Sequence, residues 1–221
     1  MPAEGALRDG TAAGIELIET LRFEPDEGFL RLERHLARLQ GSARELGFAC
    51  DPAAVRAALG RAVDGAEAAR RVRLTLSPAG VASATAQPFS PQPPDAVWRV
   101  RLAETRLDSG GALLCHKTTR REVYDRARGE FTTAEADEVL LSNERGEVCE
   151  GTITNLFVDC GDGGPLLTPA LSCGLLPGVL RAEMTEAGKA VESVLTVDDL
   201  RAAKTVFVGN SLRGMIRAIM G

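Results

Sequence analysis

From Gln87 onward the chain reads Gln87-Pro88-Phe89-Ser90-Pro91-Gln92-Pro93-Pro94-Asp95, which places four of the eleven prolines in nine residues. Proline fixes its own φ and carries no amide hydrogen, so neither a helix nor a central strand runs through such a stretch. The stretch is expected to be an inter-domain linker. It divides the chain into a small α+β domain over residues 1–90 and a larger β-rich domain over residues 91–221.

In the first part, residues 15–22 read as a strand. Leu32, Leu36, Leu39, Ala43 and Leu46 recur at helical spacing up to Gly47, and Asp51-Pro52 is an N-cap and first-turn pair for a second helix. Val72, Leu74 and Leu76 alternate with Arg73 and Thr75, and a turn at 77–80 leads into residues 81–85, which predicts a hairpin. In the second part, 97–103, 138–141, 153–159 and 205–208 read as strands, and 122–129, 178–187 and 197–202 as helices.

Several function classes are disfavoured. The formal charge is −5 and no basic block or basic-aromatic stripe occurs, so the electrostatic footprint of a nucleic-acid binder is missing. The five cysteines (Cys50, Cys115, Cys149, Cys160, Cys173) are odd in number and lack Cys-x-x-Cys spacing, which argues against a disulfide framework or a zinc site and points to reduced cytosol. His35 and His116 lack a third ligand nearby in sequence and read as positioning or hydrogen-bonding residues, with no metal expected. The first fourteen residues lack the apolar core of a secretory leader, and no stretch is long and apolar enough for a membrane span.

Of the 26 basic residues only three are lysines: Lys117, Lys189 and Lys204. Arginine serves where charge alone is needed, but a primary amine is required where a side chain must attack a carbonyl. Lys189 and Lys204 lie beside expected strands and read as surface residues. Lys117 lies in the polar cluster Cys115-His116-Lys117-Thr118-Thr119-Arg120-Arg121-Glu122-Val123-Tyr124-Asp125, which reads either as a reactive site or as a solvated helix start capped by a threonine. Glu150, placed at a polar break between two strands, is either a surface ion-pair partner or the anion opposite a pyridinium nitrogen. The loop from Thr168 to Arg181 passes Pro177-Gly178 and opens a helix. That is either a plain junction or a place where the N–H groups of Val179 and Leu180 hold a phosphate.

Together these segments resemble a known family. His35-Leu36-Ala37-Arg38-Leu39, His116-Lys117-Thr118-Thr119 with Tyr124-Asp125, Glu150-Gly151-Thr152-Ile153-Thr154-Asn155-Leu156-Phe157, Leu175-Leu176-Pro177-Gly178 and Asn210-Ser211-Leu212-Arg213-Gly214 are similar to the ordered signature of the class IV aminotransferases, and they span most of the chain. The family includes branched-chain and D-amino-acid aminotransferases and 4-amino-4-deoxychorismate lyases. The wording here is most similar to the lyases, in particular to lyase domains fused to an aminobenzoate synthase component.

The resemblance implies fold type IV: two α+β domains with pyridoxal 5′-phosphate (PLP) between them, in a homodimer that takes a small-molecule substrate. It makes an aminodeoxychorismate synthase the functional partner. It implies that Lys117 carries the cofactor as a Schiff base, that Glu150 faces the pyridine nitrogen, and that Arg38, the Val179 and Leu180 amides and Ser211 bind the phosphate. Arg38 otherwise reads as the solvated face of an amphipathic helix. By the same resemblance Arg106 takes a substrate carboxylate and Tyr124 packs near the cofactor. The implied activity is release of pyruvate from 4-amino-4-deoxychorismate, with transamination of branched-chain or D-amino acids as the alternative. Relatives open with an additional strand carrying Asn-Gly, so the small domain is expected to lack its first strand and to differ around the substrate mouth.

Overall fold

The computed structural model describes residues 14–221. The readings that fall on the residues before them, the lack of a leader and of a first strand, lie outside the described part. The chain forms two compact units, one of residues Met1–Ser90 with His116–Arg120, the other of Pro91–Cys115 with Arg121–Gly221. A single division at residue 90 misses the return of His116–Arg120, which carries Lys117, to the first unit.

The first unit is built on β1 (Leu17–Glu24), β2 (Gly28–Phe29), α1 (Leu32–Leu46), α2 (Pro52–Ala62), β3 (Arg70–Leu76) and β4 (Ala82–Pro88). The strands form an antiparallel sheet in the order β2-β1-β3-β4, with Leu17 opposite Leu76 and Leu21 opposite Val72. Strand alternation sends Leu17, Leu21, Val72, Leu74 and Leu76 into the core, and α1 adds Leu36, Leu39, Ala43 and Leu46 at helical spacing. Each of these leucines and the valine contributes about 1.5–3 kcal/mol by leaving water.

α1 ends where Gly47 takes a left-handed conformation (φ 73°) and donates to the Ala43 carbonyl. Asp51 caps α2 by accepting from the Ala53 amide. β4 runs through Gln87 and Pro88, farther into the proline-rich stretch than expected. It is an edge strand, where a residue without an amide hydrogen is tolerated.

The second unit contains β5 (Val97–Leu107), α3 (Glu122–Gly129), β6 (Glu138–Asn143), β7 (Val148–Gly151), β8 (Asn155–Asp159), β9 (Leu166–Pro169), α4 (Val179–Glu186), β10 (Ala190–Ser193), α5 (Val197–Ala202), β11 (Thr205–Asn210) and β12 (Gly214–Met220). Its sheet has the order β10-β9-β8-β11-β12-β5-β6-β7, and β7, at one end, lies against β8, so the sheet curls on itself. Two apolar clusters flank β6: Leu140 packs with Val100, Val148, Leu156 and Val208, whereas Val139 and Leu141 pack with Leu107, Ala127, Cys149 and Leu175. Burial on both faces explains why Val139, Leu140 and Leu141 follow one another without a polar residue between them.

The strand expected to start at 153 starts at Asn155, and Glu150 lies inside β7 rather than at the break. β7 is the strand expected ahead of the polar break, whereas β2, β9, β10 and β12 were not anticipated. No helix of the described residues is long and apolar enough to cross a membrane.

Candidate functional site

In the first unit, the extended main chain of residues 117–119 runs antiparallel to β1. The Ile18 amide donates to the Lys117 carbonyl at 2.9 Å, the Thr119 amide to the Glu16 carbonyl at 2.9 Å, and the Glu16 amide to Thr119 Oγ1 at 3.0 Å. Thr118 is buried opposite Leu17, so the lysine is carried on a backbone locked into the sheet, with a half-buried side chain. His116 Nδ1 lies 2.9 Å from Ser42 Oγ, and its Nε2 lies 3.5 Å from Glu45. Burial pushes the His116 pKa down, against the pull of Glu45 upward. Lys189 and Lys204 are exposed.

α1 places His35 and Arg38 against a carboxylate that the sequence reading passed over. Glu19 is 2% exposed on β1. It accepts from Arg38 Nε at 2.8 Å and Nη2 at 2.6 Å, and it lies 2.7 Å from His35 Nδ1. Burial raises its pKa, but the Arg38 charge and the hydrogen bonds from His35 and Arg38 outweigh that and bring it to about 2. Arg38 is thus not on a solvated helix face. It is an oriented guanidinium, 13% exposed, with one edge held by a buried anion.

In the second unit, β7 holds Glu150 at 4% exposure, and its Oε1 accepts from the Tyr124 hydroxyl at 2.8 Å and the Leu176 amide at 3.1 Å. Burial first, and the Glu150 charge second, drive the Tyr124 phenol far upward, so it remains a donor. The guanidinium of Arg121 lies 4.9 Å from the Tyr124 ring centroid and donates to the Thr152 carbonyl at 2.6 Å. Glu150 is therefore a buried carboxylate with one oxygen fixed by two neutral donors.

α4 begins at Gly178 with no side-chain cap, so the amides of its first turn have no partner from a capping side chain. A Cβ at Gly178 would overlap Asn155 Oδ1, and a Cβ at Gly209 would meet Leu180 Cδ2 at 3.0 Å. Glycine at both positions lets the start of α4 close onto β8 and β11, which pair at Asn155 and Gly209. Ser211, 7% exposed, sits in the following turn, where Asn210 Oδ1 accepts from the Leu212 and Arg213 amides at 3.1 and 2.9 Å. The start of α4 thus lies against the end of β11 at Gly209, and Ser211 follows two residues later in the chain. Arg106 is exposed on β5, after an irregularity in register, and its charge acts on Glu130.

This geometry predicts that Gly178→Ala costs about 1–3 kcal/mol, because the new methyl displaces the Asn155 amide from the Leu176 carbonyl it donates to at 3.0 Å. Thermal denaturation of the variant measures the loss, and a melting temperature equal to that of the parent would contradict the close approach.

The family model for class IV amino-transferases matches residues 16–219. A Schizosaccharomyces pombe protein provisionally named aminodeoxychorismate lyase is 30% identical over 210 residues, covering 92% of this chain and 89% of its own. A crystal structure from Mesorhizobium loti, provisionally named an amino-acid aminotransferase, is 59% identical with a TM-score of 0.92, covering 94% of this chain and all of its own. The 4-amino-4-deoxychorismate lyase of Pseudomonas aeruginosa is 26% identical with a TM-score of 0.81, covering all of this chain and 88% of its own.

Proposed function

The chain belongs to the class IV aminotransferases, enzymes of fold type IV that depend on PLP, and from that premise we propose that it is a lyase converting 4-amino-4-deoxychorismate to 4-aminobenzoate and pyruvate. The observation that carries the cofactor reading is Glu150, a buried carboxylate held by the Tyr124 hydroxyl and the Leu176 amide. The chemistry of the groups present suits PLP: in the first unit a lysine on a backbone locked into the sheet, and in the second a fixed carboxylate and a helix start without a side-chain cap.

Bound, the cofactor supplies an aldehyde that exchanges amines and a pyridine ring that accepts an electron pair. Lys117 would be the residue that holds it covalently, and its free amine would take the proton from the carbon bearing the substrate's amino group and return a proton to the enolpyruvyl group, which leaves as pyruvate while the ring becomes aromatic. Glu150, fixed by two neutral donors, would face the pyridine nitrogen and keep a proton on it. Arg38, oriented by Glu19, would donate to the phosphate, a role for which the Val179 and Leu180 amides and the Ser211 hydroxyl of the second unit are also candidates. Arg106 takes a substrate carboxylate. The same proposal includes a cytosolic homodimer supplied by an aminodeoxychorismate synthase.

Two relatives carrying the lyase name support this reading, one over 92% of the chain. The 59% identity to a structure provisionally named an amino-acid aminotransferase favours the alternative, transfer of the amino group of a branched-chain or D-amino acid to a 2-oxo acid. The two separate by substrate. PLP-loaded protein is expected to release pyruvate and 4-aminobenzoate from aminodeoxychorismate without an acceptor. Amino transfer to 2-oxoglutarate with no pyruvate release would assign the chain to the transaminases.

A further inference from the structure

Glu138, 1% exposed at the head of β6, is a carboxylate with five hydrogen-bond donors that the proposed chemistry does not use. Its Oε1 accepts from the Val139 amide at 2.8 Å, the Thr152 amide at 3.1 Å and Thr152 Oγ1 at 2.6 Å. Its Oε2 accepts from the Ile153 amide at 3.1 Å and Thr154 Oγ1 at 2.8 Å. Four of these five donors belong to the turn at 152–154, which joins β7, the strand of Glu150, to β8, the strand of Asn155. Gly151 completes the fit: a Cβ there would lie 2.8 Å from Glu138 Cδ and Oε2.

The carbonyls of the turn are put to use in two directions. Thr152 O accepts from Arg121 Nη2, and Arg121 covers the Tyr124 ring whose hydroxyl fixes Glu150. Ile153 O accepts from Asn210 Nδ2 at 3.0 Å, and Asn210 Oδ1 orders the 210–213 turn that carries Ser211. A buried anion surrounded by neutral donors from one turn sets that turn rigidly, because each bond to a charged acceptor is stronger than a neutral one and no water replaces it.

We propose that Glu138 is a positioning residue that fixes both ends of the cofactor site at once: the Tyr124–Glu150 pair through Thr152 O and Arg121, and the Ser211 turn through Ile153 O and Asn210. The proposal rests on the reading of Glu150 and Ser211 as cofactor contacts. In Glu138→Gln one oxygen becomes an NH₂ group. Placed at the Oε1 position it faces the Val139 and Thr152 amides, and at the Oε2 position it faces the Ile153 amide, so either orientation sets donor against donor.

The test compares the full-length parent with Glu138→Gln, Glu138→Asp, Asn210→Ala and Arg121→Ala. In cofactor-free protein, amide exchange at Leu212 and Arg213 reads the 210–213 turn, and emission from Trp98, the one tryptophan, reads Arg213, whose guanidinium lies 5.7 Å from its ring. With PLP added, its dissociation constant and the pH midpoint of its absorption change read the Glu150 end. Glu138→Gln is expected to speed exchange at Leu212 and Arg213, to weaken PLP binding roughly tenfold or more, in line with the loss of groups that hold ligand residues in other sites, and to move the pH midpoint. Glu138→Asp, which keeps the charge, recovers part of each. Asn210→Ala moves only the exchange and emission, and Arg121→Ala only the pH midpoint.

If Glu138→Gln does not fold, Thr152→Val removes one of the donors, and both ends are expected to shift together by smaller factors. A folded Glu138→Gln, or Thr152→Val in its place, with exchange, affinity and pH midpoint unchanged, or with one end alone altered, overturns the proposal. A parent that takes up no PLP overturns the cofactor reading instead, while exchange at Leu212 and Arg213 still decides whether Glu138 holds the 210–213 turn.

Discussion

Lys117→Ala is expected to lower turnover by a factor on the order of 10² to 10⁴, the range for removal of a positioned general base, while PLP is expected still to bind through the proposed phosphate and ring contacts. Lys117→Arg fares no better, because a guanidinium remains protonated at neutral pH and does not form the covalent link. The backbone is expected to tolerate both changes: what joins residues 117–119 to β1 is a set of main-chain bonds and the Thr119 hydroxyl, none of which involves the lysine side chain. Steady-state rates with matched thermal melts separate the two effects. A variant that is folded, PLP-loaded and within tenfold of the parent would remove Lys117 from the chemistry.

Glu19→Gln is the substitution with the largest expected effect on stability, on the order of 3–5 kcal/mol, because it leaves Arg38 and His35 facing a neutral amide inside the first unit. The pH dependence follows from the same group. The folded-state pKa of Glu19 is about 2, against an ordinary 4.5. Its ionised form therefore stabilises the fold fully above the ordinary value, and that contribution is lost as pH falls through the interval between the two. Chemical denaturation at pH 7 and at successively lower pH is expected to show the parent converging on Glu19→Gln below the ordinary carboxylate range. Parallel curves over that range would show that the pair contributes no pH-dependent stability.

The sequence made some of this architecture legible for identifiable reasons. α1 announced itself through the spacing of Leu36, Leu39, Ala43 and Leu46 and its glycine stop, and α2 through Asp51-Pro52. β9 and β10 are four-residue strands (Leu166–Pro169, Ala190–Ser193), too short for alternation to register, and they are set by their neighbours in the sheet. β12 does alternate, with Ile216 and Ala218 buried and Arg217 exposed, but it follows directly on a motif read for its chemistry.

The site divides in the same way. Lys117 stood out because lysine is scarce, and Glu150 because of its motif. Glu19 left a signal that went unread: a carboxylate between Leu17 and Leu21 falls on the buried face of β1 and requires a basic partner. Glu138 left none, since a glutamate at the head of an apolar strand ordinarily meets water. Its donors come from Thr152, Ile153 and Thr154, which only the folded sheet brings to it.

The point at which the cofactor attaches decides whether Lys117 carries it. Borohydride reduction of PLP-loaded protein, followed by proteolysis and mass spectrometry of the three lysine-containing regions, reads this in one step. The expected result is a pyridoxyl group on Lys117 alone, absent after Lys117→Ala. A stable adduct on exposed Lys189 or Lys204 in place of Lys117, or no adduct on any lysine, would contradict it.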